Sequence, residues 1–238
     1  MTIALSRRPP TGLIWVLLYY IYNTVELRLA SLFKATGFAV LILLALYISN
    51  TSVQRYLIGS EAGPPPIVAN AFANPWLAIH VIGAVLALIV GPFQFVGAIR
   101  SRWPAIHRAA GYTYLAACAV GVPAGLVLSF GATAGIVAGS GFAVLGLLTI
   151  YFTGQGFRTA LARRFDEHRE WMLRSYALTA AAITLRLMIP ASFMLELDFT
   201  QSYRVIAWAC WLTNLVIVEY YIRRTRASAP RFATLATA

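Results

Sequence analysis

The chain has 238 residues, of which 60% are hydrophobic and 11% charged, with a formal net charge of +11. A soluble domain carries about a quarter charged residues, so this composition excludes an ordinary water-soluble fold and predicts an all-α membrane protein. The positive charge does not point to nucleic acid, because the arginines cluster between apolar runs and do not line one solvated face. The two cysteines, Cys118 and Cys210, each fall inside an apolar run, which excludes a disulfide framework and a CxxC metal pair.

Residues 1–31 read as an N-terminal cytoplasmic or interfacial segment. Arg7 and Arg8 precede Pro9-Pro10, and the run from Gly12 to Val25 is too short for a span of about 20 residues. Trp15, Tyr19, Tyr20 and Tyr22 suit a helix lying at headgroup depth; a seventh span is the alternative. Apolar windows then follow at Leu32 to Ile48, Pro75 to Ala98, His107 to Phe130, Thr133 to Leu161, Glu170 to Leu195 and Val205 to Ile222. They predict a bundle of six transmembrane helices over residues 32–226, with a cytoplasmic tail at 227–238. Gly63-Pro64-Pro65-Pro66 cannot continue a helix and marks an external loop, after which Asn74-Pro75 reads as an N-cap with proline at the first helical position.

Basic residues in the connections set the orientation. Arg100, Arg102 and Arg108 flank the loop after the second span, Arg158, Arg163, Arg164 and Arg169 the loop after the fourth, and Arg223, Arg224, Arg226 and Arg231 follow the sixth. The alternate connections hold only Arg55 and Arg204, with Glu61, Glu196 and Asp198 nearby. Both termini are therefore expected in the cytoplasm in a six-span arrangement.

Three spans carry a stripe of small or polar residues that includes a histidine. In the second it is His80, Ala84, Ala87, Gly91 and Gln94; in the third His107, Gly111, Tyr114, Cys118, Gly121 and Gly125; in the fifth His168, Ser175, Thr179, Ala182 and Arg186. The last set falls within about 40° of one line on a continuous helix. Small residues let helices approach closely in a bilayer, and a charged group in a span faces protein or a water-filled cavity. The stripes thus predict an inner polar station of His107, His168 and Gln94, and an outer one of His80 and Arg186. Arg186 needs a partner there: Glu196, Asp198, a ligand anion or carbonyl groups. His-Arg at a helix start also serves as an interfacial anchor, with Asp166 capping the fifth span. Pro92 and Pro123 free backbone carbonyls, and the two His-Arg segments suggest a duplicated hairpin.

His80-Val-Ile-Gly83, Gly91-Pro-Phe-Gln94-Phe, His107-Arg-Ala-Ala-Gly111-Tyr112 and His168-Arg-Glu-Trp171-Met172-Leu-Arg174-Ser-Tyr176-Ala-Leu-Thr179, closing on Thr184-Leu-Arg186, resemble a widespread family of bacterial multi-span membrane proteins with a domain of unknown function. The resemblance covers about His80 to Arg186, and it implies a cytoplasmic-membrane protein without assigning an activity. A looser likeness is to small membrane b-type cytochromes. With three histidines in the chain, one haem b would require His107 with His168, and paired ligands for two haems are excluded.

Two classes of function follow. In the first, His107 and His168 ligate a haem or a metal, or bracket a quinone, with His80, Gln94, Arg186 and Tyr176 as further cofactor contacts. In the second, the protein is a non-catalytic membrane component: a small transporter, a lipid-binding protein, or a subunit that packs with partners or with its own copies. No P-loop, HExxH helix or nucleophile-base pattern occurs, which disfavours hydrolase and nucleotide chemistry.

Overall fold

The computed structural model describes residues 32, 35–59 and 70–227. The expected interfacial helix at 12–25, the proline loop at 63–66 and the tail at 228–238 lie outside the described residues. Among the described residues every regular element is a helix, and six helical segments are long and apolar enough to cross a bilayer. The protein is a multi-pass, all-α membrane protein. By packing, the chain divides into residues 1–43 and 44–238. The described part of the first unit is the start of helix α1, Ala35–Ile58; all that follows concerns the second.

Helix α1 ends in a π-helical turn, Gln54–Ile58, closed by Gly59 in the left-handed conformation. Helix α2 is Ala73–Val90; Asn74 has an extended backbone, so the helix proper starts at Pro75 as the sequence suggests. Pro92 lacks an N–H and ends the regular helix. A 3-10 turn, Pro92–Phe95, and a short helix α3, Gly97–Arg102, replace the uninterrupted run expected to Ala98. Helices α4, Pro104–Ser129, and α5, Ile136–Leu161, are long and continuous, and Pro123 is accommodated inside α4.

The fifth span is two helices, α6, Phe165–Thr179, and α7, Ala181–Met194, joined by a tight turn at Ala180. The break corrects the expectation of one straight helix. Next to the break the Thr179 hydroxyl bonds back to the Ser175 carbonyl at 3.2 Å, a pattern that often accompanies a bend. Helix α8, Phe199–Ala227, completes the bundle. Asp166 sits in the first turn of α6 and is not its cap; Arg164 holds that position, and no side-chain cap bond forms there.

Packing follows the small-residue stripes. Helices α2 and α4 touch backbone to backbone at Gly83 and Gly121, where a Cβ on Gly83 would lie 2.5 Å from the Gly121 Cα. Helix α5 packs on α4, α6 and α8, and α8 also packs on α6 and α7. The carbonyl of Leu88, four residues before Pro92 and so deprived of its helical donor, accepts the Tyr176 hydroxyl at 3.2 Å. Gly91 makes that reach feasible, since a side chain there would strike the Tyr176 ring. Tyr176 is therefore a strut between α6 and α2, further braced by Phe95 with ring centroids 5.9 Å apart.

Gly83→Val should lower stability by about 1–3 kcal/mol through overpacking of a contact whose two sides are both backbone. Melting in detergent against Gly154→Ala, where an added Cβ meets nothing within 4 Å, checks it. Equal melting of the two variants would contradict the α2–α4 contact.

Candidate functional site

Within the second unit the helices enclose a cavity of ≈ 520 Å³, a size typical of small-molecule sites. Residues of α1, α2, α4, α5, α6, α7 and α8 line it. Its walls are mainly apolar, from Ala84, Ala87, Val122, Leu145, Leu178 and Leu185, while Arg55, Tyr56, His80, Arg186 and Tyr203 supply polar groups. Cys118, Thr149 and Thr179 line it as well.

His80 is fixed by geometry that begins in the sequence. Gly125 leaves room for the imidazole, since a Cβ there would lie 2.8 Å from Nδ1, and Nδ1 sits 2.9 Å from the Gly121 carbonyl. A carbonyl only accepts, so Nδ1 carries the hydrogen of this bond. Arg186 donates from Nη2 to Ser52 Oγ at 2.8 Å and from Nη1 to the Ala182 carbonyl at 3.1 Å. Glu196 and Asp198, the carboxylates expected to answer it, are both exposed. Asp198 instead caps α8 by accepting the Gln201 N–H at 2.8 Å. No carboxylate is bonded to Arg186 among the described residues. The structure thus joins His80 and Arg186 at one cavity and leaves the arginine with neutral partners.

Beneath the cavity a buried hydroxyl cluster ties three helices. Tyr114 Oη lies 2.8 Å from Ser175 Oγ and 2.9 Å from Thr179 Oγ1, and Thr153 Oγ1 lies 2.6 Å from Ser175 Oγ. Ser175 and Tyr114 are among the most deeply buried residues described, at 0% and 1% exposure, and hydroxyls at such depth are stable only when bonded to one another or to carbonyls. The stripes of the third and fifth spans contain Tyr114, Ser175 and Thr179. Thr153, Ser49 and Ser52 lie outside every stripe considered in the sequence, because a single hydroxyl in an apolar helix carries no signal of its own.

His107 and His168 both lie at the arginine-rich end, where His107 is within electrostatic reach of His168, Arg100 and Arg108. His168 Nδ1 is 2.8 Å from the Gly156 carbonyl. Gln94 lies against Gly111, and both Gln94 Nε2 and His107 Nδ1 are buried without a hydrogen-bond partner. Among the described residues no group of three or more His, Cys, Asp or Glu is placed to hold a metal ion. The ≈ 520 Å³ cavity is lined by His80 but by neither His107 nor His168. At the same end Arg174 forms a fork onto Glu219, with Nη2 to Oε2 at 3.1 Å, lies over Trp171 at 4.9 Å, and approaches Glu170, which also binds Arg226. That network fastens α6 to α8.

Tyr114→Phe should cost about 0.5–1.5 kcal/mol, because Ser175 keeps Thr153, and Thr179 keeps the Ser175 carbonyl. Melting of the variant in detergent measures it, and a loss several times larger would mean that the phenol carries more than these bonds.

No curated protein and no solved structure matches the chain. One family does, over more than half of the chain and across the cavity-lining helices that follow α1. The chain belongs to the family described as "Predicted membrane protein (DUF2306)", which matches residues 77–222.

Proposed function

We propose that the protein binds an amphipathic molecule inside the membrane, with the polar head at Arg186 and His80 and the apolar part along the cavity walls. The single observation that carries this reading is Arg186: a guanidinium lining a largely apolar cavity, bonded to a hydroxyl and a carbonyl but to no carboxylate among the described residues. A charge kept in such a place is costly unless a partner answers it. The walls accept an apolar body without specific recognition, and His80 offers a second polar contact. This is the lipid-binding or carrier class of function, and it needs no reaction.

Mass spectrometry of the protein extracted gently from its membrane tests the reading. One amphipathic molecule should co-purify at near-equal stoichiometry and be lost from Ala84→Phe, which fills the cavity wall, while melting remains close to that of the parent. Identical small-molecule content in the two proteins contradicts it.

A second reading, of a redox or cofactor-binding protein, rests on His107 and His168 lying within electrostatic reach of one another beside the unpartnered Gln94 Nε2 and His107 Nδ1. Two imidazoles are standard axial ligands for one haem b, and a quinone carbonyl would accept from the Gln94 amide. Absorbance of protein produced with ample haem separates the readings: a Soret band lost in His107→Ala supports haem, and a featureless spectrum removes it.

The arginine clusters support placement in the cytoplasmic membrane with both termini in the cytoplasm. Reporter fusions after Arg102, after Arg164 and at the C-terminus should report cytoplasm, and a fusion at Asp198 the outside. Reversal of any one of these breaks the proposed topology.

A further inference from the structure

Beside the main cavity lies a second void of ≈ 60 Å³ between α1, α2 and α7, and both voids are lined by His80 and Arg186. Its remaining polar lining is Ser49 and Ser52. Ser49 is 3% exposed, and its Oγ has no hydrogen-bond partner. Ser52 differs, because its hydroxyl hydrogen is directed to the Ile48 carbonyl at 2.7 Å, which leaves the oxygen to accept from Arg186.

The donor count is unbalanced. A guanidinium has five N–H groups, of which Arg186 commits one to Ser52 and one to the Ala182 carbonyl. Together with the Ser49 hydroxyl, the void therefore gathers donors that no described residue accepts from and one positive charge, and no described residue that lines it carries negative charge. A water molecule would satisfy Ser49 and leave the charge unanswered; a carboxylate answers both. The space suffices, since a void needs only about 10–15 Å³ on this measure to hold one water. A phosphate monoester, at about −1.5 to −2 charge, would overcompensate a single arginine.

We propose that this void is the head site of the ligand and that the head is a carboxylate, accepting from the Ser49 hydroxyl and the free N–H groups of Arg186. The site rests on the cavity reading above for the apolar part of the ligand only; the head is recognised without it. The carboxylate is supplied either free, as a short-chain acid, or on a long acyl chain that continues into the main cavity.

Melting of the full-length protein in a neutral maltoside detergent, titrated separately with acetate, decanoate and decanol, tests the head and the tail independently. Both acids should raise the melting temperature saturably, with decanoate acting at the lower concentration. Ser49→Ala, a small change at a neutral residue, should weaken the response to both acids about tenfold, as expected for one hydrogen bond to a charged group. Arg186→Gln should abolish it. If decanol stabilises and neither acid does, the head site is wrong and the cavity reading stands. If acetate and decanoate act at equal concentrations, the head site stands and the cavity reading fails. If Ser49→Ala responds to the acids like the parent, the assignment of this void to the carboxylate is overturned.

Discussion

A bilayer offers no water to a carbonyl or a charge within it, so every polar group in the bundle must be answered by another part of the chain or by something bound to it. The structure is arranged around that constraint. Pro92 leaves the Leu88 carbonyl without a helical donor, and Tyr176 reaches across from α6 to supply one. His80 spends its Nδ1 hydrogen on Gly121 of the neighbouring helix. Tyr114, Thr153, Ser175 and Thr179 answer one another. Each bond joins two helices, so the same pairing that removes a desolvation penalty also fixes the packing.

Glycine makes these reaches feasible. Gly83 and Gly121 bring α2 and α4 into backbone contact, Gly91 admits the Tyr176 ring, and Gly125 admits the His80 imidazole. Without a hydrophobic drive between helices in lipid, close backbone approach and the bonds it permits are what hold the bundle together. Ser49 Oγ, Gln94 Nε2 and His107 Nδ1 depart from this scheme as neutral groups without a partner among the described residues, and Arg186 departs from it as a charge. It is held in place by Ser52 and Ala182, no carboxylate is bonded to it among the described residues, and it lines both cavities. A part-buried guanidinium with no carboxylate bonded to it among the described residues is the physical basis for reading a ligand into the site.

Much of this architecture was legible in the chain. Apolar windows located six spans, and a histidine on each of three small-residue stripes placed His80 near Arg186 and His107 near His168. What escaped has identifiable causes. The break at Ala180 falls inside an apolar run whose periodicity gives no sign of it, and the end of α2 at Val90 depends on how the chain re-forms after Pro92. Glu196 and Asp198 were natural partners for Arg186 by charge and proximity in sequence, but the turn that starts α8 uses Asp198 as a cap and leaves Glu196 exposed. Ser49, Ser52 and Thr153 carry no pattern; only the three-dimensional meeting of α1 with α7, and of α5 with α6, gives them meaning.

The central claim is that the open charge of Arg186 faces a bound amphiphile. Cryo-electron microscopy of the protein in lipid nanodiscs, prepared from its own membrane without added ligand, measures this directly. The account predicts elongated density in the ≈ 520 Å³ cavity with its polar end against Arg186 and Ser49. A cavity holding only ordered water, with Arg186 turned to an acidic side chain of the protein, would contradict it.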